Sequence, residues 1–167
     1  LWKVLAEMVV ANPRFAKEFQ LKLVGKVDVA VLKSIEQYHL TEYLTRIDYM
    51  PHEEVMHQIQ ESQVLLLLIN NTPNAKGILT GKIFEYLGSG RPVISIGPED
   101  GDAAAILTDS DAGQTAGYEN EKAMQQILAD YFTRFSEQRL ESNSNNRLKY
   151  SRNVLTGEIA TILNGML

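Results

Sequence analysis

The sequence has 167 residues, no cysteine and a formal net charge of −5, with 44% hydrophobic and 22% charged residues. Such a make-up fits one ordinary globular domain with a sizeable core. It excludes disulfides, thiolate metal sites and a cysteine nucleophile, and its acidic balance argues against nucleic acid as a partner.

The chain opens on Leu1 inside an amphipathic pattern, as expected of a piece of a longer protein; Leu1, Val4, Leu5, Met8 and Val9 recur at helical spacing. Asn12-Pro13 interrupts that helix, because proline removes a donor and restricts the residue before it. LKLVG (21–25) reads as a short strand ending in glycine, VAVLKSIEQYHL (29–40) as a helix, and YLTRIDYM (43–50) as an alternating strand. Pro51 then stands where a helix begins, ahead of HEEVMHQIQES.

VLLLLIN (64–70) is apolar on successive residues, the pattern of a strand buried on both faces of a parallel sheet, and is expected to be the central strand. A loop rich in Asn, Pro and Gly leads to a helix over 80–89, and Pro92 introduces another buried strand, PVISIG. DAAAIL (102–107) reads as a short helix capped by Asp102, and AGQTA (112–116) as an edge strand. Met124, Ile127, Leu128, Tyr131, Phe132 and Phe135 mark an amphipathic helix. A polar link, SEQRLESNSNN (136–146), leads to a closing helix at about 147–165 with Leu148, Leu155, Ile159, Ile162 and Leu163 on one face.

Alternating strands and helices predict an α/β class: a Rossmann-like, doubly wound parallel sheet with helices on both faces. Ligands of such sheets bind at the carboxyl ends of the strands, which directs attention to the loops after Gly25, Tyr49, Asn70 and Gly97. The longest apolar run, 64–69, is far below the roughly 20 residues that span a bilayer. The start of the chain lacks a basic region followed by an apolar one, and a cytoplasmic location is expected.

The stretch GILTGKIFEYLGSGRP (77–92) has the order strand, glycine-rich loop, helix, yet it is no Walker A loop: three residues separate Gly77 from Gly81, and Ile83 follows Lys82 where a magnesium ligand belongs. Thr80 as N-cap leaves the amides of Gly81, Lys82 and Ile83 at the positive end of a helix, where anions bind. Lys82 in the first turn opposes the helix dipole, a local penalty of about 0.3–1 kcal/mol that a bound anion would offset. Helical spacing puts Ile83, Phe84 and Leu87 on an apolar side and Gly81, Lys82, Glu85, Gly88 and Ser89 on the other. A carboxylate such as Glu85 can accept two hydroxyls, which suits a vicinal diol such as ribose. The plainer alternative is an exposed pair between Lys82 and Glu85 worth a few tenths of a kcal/mol.

TGKIFEYLGSGRPVISIG (80–97) resembles the donor-binding motif of glycosyltransferases of the glycogen-synthase type, whose two Rossmann-like domains form the GT-B fold. Glu85, Gly90, Pro92 and Val93 fall on the motif's positions, with Tyr86 where alanine is usual. LVGKV, RIDYMPHEEVMHQIQESQVLLLL and YSRNVLTGEIATIL resemble other elements of the same C-terminal half. The resemblance implies a single nucleotide-sugar-binding domain over 1–167, without the family's first strand, its basic diphosphate loop or its N-terminal acceptor domain. It implies that Glu85 holds the ribose, that the amides of Thr80 and Gly81 hold the diphosphate, and that strand-end backbone from Arg46 to Pro51 lies against the base; Gly25 and Tyr49, at strand ends, join the expected donor-binding set, and Lys82 is expected to supply part of the positive charge of the absent basic loop.

By the same resemblance the donor is a nucleoside-diphosphate sugar, no cofactor or metal is needed, and the acceptor is a glycan or lipid, as in polysaccharide biosynthesis. Transfer would retain anomeric configuration, any peripheral membrane association would come through the absent half, and the fragment alone would be inactive. The family often carries a second Glu eight positions earlier; here Gly77 stands there. Two alternatives remain open: half of a sugar-nucleotide epimerase of the same architecture, and a non-enzymatic doubly wound binding module. His39, His52 and His57 lack the spacing of joint metal ligands, and GPEDGD (97–102) lacks the length and terminal Glu of a calcium loop.

Overall fold

A computed structural model describes residues 1–140 and 145–166. The first helix, α1 (Trp2–Ala11), is followed at once by α2 (Pro13–Glu18). Asn12-Pro13 therefore ends one helix and starts another: the Asn12 side chain accepts hydrogen bonds from the amides of Arg14 and Phe15, and Pro13 takes the first helical position. The chain continues through β1 (Leu21–Val24), α3 (Val29–Gln37), β2 (Leu44–Ile47), α4 (His52–Glu61) and β3 (Leu65–Leu68). Then come α5 (Gly81–Ser89), β4 (Val93–Ile96), α6 (Asp102–Asp109), β5 (Gly113–Ala116), α7 (Glu121–Ser136) and α8 (Arg152–Asn164).

The expected α/β class and parallel pairing hold. β1 pairs with β2, and β3, β4 and β5 form a second ladder in that order, every pair parallel. No hydrogen-bonded ladder joins β1 to β3, so the strands form two sheets rather than one. The central strand of the second sheet is β4, whose Val93 and Ser95 are fully buried. The expectation that 64–70 is central is corrected: β3 has one paired edge, and Leu68 is 56% exposed.

Alternation along the strands sorts the helices into two layers. Leu65, Leu67 and Val93 face a core built with Ile59 of α4, Ile83 and Leu87 of α5, and Ala103 and Leu107 of α6. Ile94 and Ala116 face the opposite way, against Val4 of α1 and Met124, Ile127 and Tyr131 of α7. Leu21 and Leu23 of β1 join a third cluster with Leu5 of α1, Phe15 of α2 and Ile35 of α3. Gly113 sets the spacing of the second sheet: a Cβ there would lie 2.3 Å from the Val93 carbonyl oxygen.

Three local expectations change. Phe84 is 41% exposed, and Tyr86 instead packs against the core beside Ile83 and Leu87. The N-cap of α6 is Gly101, with Asp102 inside the first turn and no side-chain cap. The closing helix begins at Arg152, after a 3-10 segment over Asn145–Tyr150, and none of its residues is buried. The polar link predicted over 136–146 lies partly outside the described residues. Among the described residues no helix is long and apolar enough to cross a membrane.

Candidate functional site

Three loops meet at the carboxyl end of the second sheet. The loop after β3 is anchored by the buried Ala75 and makes a 3-10 turn over Ala75–Gly77. Lys76 forms a 2.5 Å ion pair with Asp100 of the loop after β4, and this contact lowers the pKa of the Asp100 carboxyl. Glu99 accepts from the Gly117 amide and the Asn120 side chain, both at 2.9 Å, which ties the loop after β4 to the loop after β5. The Tyr118 hydroxyl closes the ring by donating to the Asn70 carbonyl at 3.1 Å. None of Lys76, Glu99, Asp100, Tyr118 or Asn120 stands out in the sequence as a site residue. Residues so distant in sequence meet only through the fold, and the one available signal was the polar loop GPEDGD itself.

The loop after β3 leads from its 3-10 turn directly into the start of α5. Thr80 occupies the N-cap position with extended backbone (φ −94°, ψ 151°), but its hydroxyl makes no capping bond. Its Oγ1 is buried and has no hydrogen-bond partner among the described residues. The expectation that Thr80 caps the helix with its side chain is thus corrected in detail: the position is right, the bond is absent. The Thr80 carbonyl accepts from the Ile83 amide at 3.1 Å, a tight first turn. The N–H groups of Gly81 and Lys82 precede the first intrahelical bond and have no acceptor among the described residues.

Lys82 is exposed, Glu85 is half-buried one turn further on, and neither forms an ion pair or hydrogen bond among the described residues. The exposed Lys82–Glu85 pair is therefore not made. A Cβ at Gly81 or Gly77 would meet nothing within 4 Å, so the helix end opens onto space rather than onto packed protein. Burial, and secondarily the charge of Glu85, raises the pKa of the adjacent Tyr86 phenol. At its other end α5 stops at Gly90 in the left-handed conformation (φ 73°), with the Arg91 Nε–H donating to the Gln60 carbonyl at 2.9 Å.

The structure thus brings Thr80, Gly81, Lys82 and Glu85 together on the first turns of α5. Gly25 and Tyr49 lie on the other sheet, at the carboxyl ends of β1 and β2, and no hydrogen bond joins them to α5. Gly25 has φ 89° and donates its amide to the Ile47 carbonyl, so it turns the chain out of β1 in a conformation that favours glycine. Tyr49 is 89% exposed. His52 opens α4, and no group of three His, Asp or Glu with metal-binding geometry exists among the described residues.

Chemically, the start of α5 offers two free backbone donors, a buried hydroxyl, a lysine in the first turn and a carboxylate without a partner. An oxyanion with several acceptor oxygens satisfies the first four; a hydroxyl donor satisfies the fifth.

No protein-family model and no curated protein sequence matches the chain. Among solved structures it is similar to sucrose-phosphate synthase from Thermosynechococcus elongatus, with a TM-score of 0.63 and 16% sequence identity. The match covers 99% of this chain and 43% of that one, so the chain spans less than half the length of its structural neighbour. At that identity the likeness is one of fold alone, a Rossmann-like α/β architecture.

Proposed function

We propose that this chain is the donor-binding half of a cytoplasmic glycosyltransferase, taking a nucleoside-diphosphate sugar for transfer to a glycan or lipid acceptor. The observation that carries the reading is the start of α5, where the Gly81 and Lys82 amides, the Thr80 hydroxyl and the Glu85 carboxylate all lack partners within the described protein. Unsatisfied donors at a helix N-terminus match the chemistry of a diphosphate, and a half-buried carboxylate one turn away matches the vicinal hydroxyls of a ribose. The likeness in fold to a sucrose-phosphate synthase supports the same class of donor.

In this reading the domain positions the donor and stabilises its departing diphosphate. Negative charge grows on the diphosphate as the glycosidic bond breaks, and fixed amide dipoles with the Lys82 ammonium favour that state without reorganising. Glu85 orients the nucleoside; Gly25 and Tyr49, at the ends of β1 and β2, border the base. Retention of anomeric configuration, acceptor binding, any membrane association and a role in polysaccharide synthesis belong to this proposal through the remainder of a longer enzyme, and the 167-residue chain alone has no transferase turnover.

Calorimetric titration of uridine, guanosine and adenosine diphosphates against the chain and against Glu85→Ala tests it. One diphosphate binds in preference to the other two, and Glu85→Ala weakens it about tenfold or more, the loss expected for one charge-assisted contact. Equal binding by the wild type and the variant removes Glu85 from its role. Failure of all three to bind the longer natural enzyme removes the nucleotide.

A further inference from the structure

We infer that the 3-10 segment Asn145–Tyr150 is a brace across the far ends of α5 and α6, and that Arg147 within it is a positioning residue for the start of α5. Its effect on a ligand rests on the reading of α5 as a diphosphate-binding helix. The brace itself does not depend on that reading.

α5 and α6 cover the same face of the second sheet, through Ile83 and Leu87 of one and Ala103 and Leu107 of the other. Each joins two neighbouring parallel strands, β3 to β4 and β4 to β5, so each runs back against the strand direction. Their starts therefore lie at the carboxyl ends of the strands, and their last residues, Ser89 and Asp109, lie at the amino ends. At the starts the hold is light. Thr80 makes no capping bond, a Cβ at Gly81 would meet nothing within 4 Å, and the Lys76–Asp100 pair is exposed, a kind of contact that fixes position weakly.

The far ends are held by one short segment. Gly90 ends α5 in the left-handed conformation, and the Arg147 guanidinium packs on it so closely that a Cβ there would stand 2.4 Å from Nη1. Both the backbone conformation and the contact demand glycine at this position. Nη1 is buried and has no hydrogen-bond partner among the described residues, so the guanidinium acts on the helix end as a charge. The carbonyl end of a helix carries partial negative charge and favours a cation. Three residues on, Tyr150 packs against the core cluster that α5 and α6 share, and its hydroxyl donates to the Asp109 carboxylate. Lys149 pairs with that same carboxylate. Asp109 is the last residue of α6, where a negative side chain opposes the helix dipole, and the two donors offset that opposition. The segment thus supplies a cation to the end of α5 and two donors to the end of α6. α5 has nine residues and is about 14 Å long, so a tilt at Gly90 is carried to Gly81 and Lys82.

Hydrogen exchange of the natural protein without nucleotide, followed by nucleotide calorimetry, tests the brace. In Arg147→Met, which keeps the length of the side chain and removes its charge, the amides of Glu85 and Leu87 in α5 exchange at least about tenfold faster, while those of Val93 in β4 and Ile127 in α7 keep their wild-type rates. Arg147→Lys, which keeps the charge, recovers most of the protection. Tyr150→Phe, which removes one of the donors to Asp109, speeds the Leu107 amide of α6 in the same selective way. The dissociation constant of the preferred diphosphate rises about threefold to tenfold in Arg147→Met, although Arg147 packs at the end of α5 away from the candidate site. Equal acceleration at Val93 and Ile127 makes Arg147 a general stabiliser and overturns the inference, as does unchanged exchange in α5. Selective loosening of α5 with an unaltered dissociation constant overturns the link to the site. A protein that binds no diphosphate in any form removes the proposed function instead, and the exchange rates alone then decide the brace.

Discussion

Replacing Lys82 by methionine has opposite effects on the empty and the occupied protein. Lys82 lies in the first turn of α5, exposed, with no carboxylate paired to it, and so faces the positive end of the helix dipole unrelieved. A charge so placed destabilises a helix by about 0.3–1 kcal/mol at low ionic strength. Methionine keeps length and helix propensity and removes the charge, so Lys82→Met raises unfolding stability by about 0.3–1 kcal/mol. Salt above about 0.5 M shrinks the gain, because the Debye length falls below the distances involved. The same change removes a cation beside the proposed diphosphate; an exposed pairing of about 1 kcal/mol corresponds to about a fivefold weaker dissociation constant. Urea unfolding at low and high salt reads the first effect, and nucleotide calorimetry the second. A variant less stable than wild type, with unaltered affinity, would refute the reasoning about this helix end.

Gly81→Ala keeps the fold at wild-type stability or slightly above, since a Cβ there meets no atom within 4 Å and alanine favours helix; it weakens diphosphate binding because the ligand must approach that backbone. Thermal unfolding with and without nucleotide separates the two. Gly113→Ala destabilises by about 2–3 kcal/mol, read by urea unfolding, because its Cβ would stand 2.3 Å from the Val93 backbone oxygen and force β5 away from β4. Tyr131→Phe gives a pH signature. Burial pushes the Tyr131 phenol up to about 12, and its hydroxyl donates to the Val93 carbonyl at 3.2 Å. A raised folded-state pKa stabilises fully below the unfolded value near 10 and is lost as pH rises towards 12. Wild type therefore loses stability of a few kcal/mol at most, about 3, over that window beyond what Tyr131→Phe loses, whereas at neutral pH the variant is weaker by about 1 kcal/mol.

The elements were legible where local chemistry determines them. Gly25 and Gly90 mark chain turns by their positive φ, and the helical spacing of Met124, Ile127 and Tyr131 put α7 on the core. Asn12-Pro13 read as a break, but the same pair is a strong N-terminal signal, a side-chain acceptor followed by a first-turn proline, and α2 grows from it. The leucines of β3 could not reveal the pairing of their strand, because a run of apolar residues looks alike at the centre of a sheet and at its edge under covering helices. Phe84 and Tyr86 exchanged places for a related reason: each borders the stripe of Ile83 and Leu87, and only the packing of α5 on its neighbours selects between them. In α8 the pattern correctly marked an apolar stripe, yet Ile159, Ile162 and Leu163 stay exposed, since periodicity says that a face is apolar and not what covers it.

The site divides in the same way. Thr80, Gly81, Lys82 and Glu85 fall on one helix end, so spacing alone brought them together. The rim of Lys76, Asp100, Glu99, Gly117, Tyr118 and Asn70 joins three loops across the ends of three strands, and sheet order rather than any local signal makes those neighbours.

The most direct test of the donor site is a proton–nitrogen correlation spectrum of the natural chain recorded as nucleoside diphosphate is added. The account predicts that the Gly81 and Lys82 amides, free of acceptors in the empty protein, show the largest downfield proton shifts, and that the corresponding nucleoside without phosphates leaves them in place. Binding that moves neither amide, or that shifts them equally with the nucleoside alone, would contradict a diphosphate held by the start of α5.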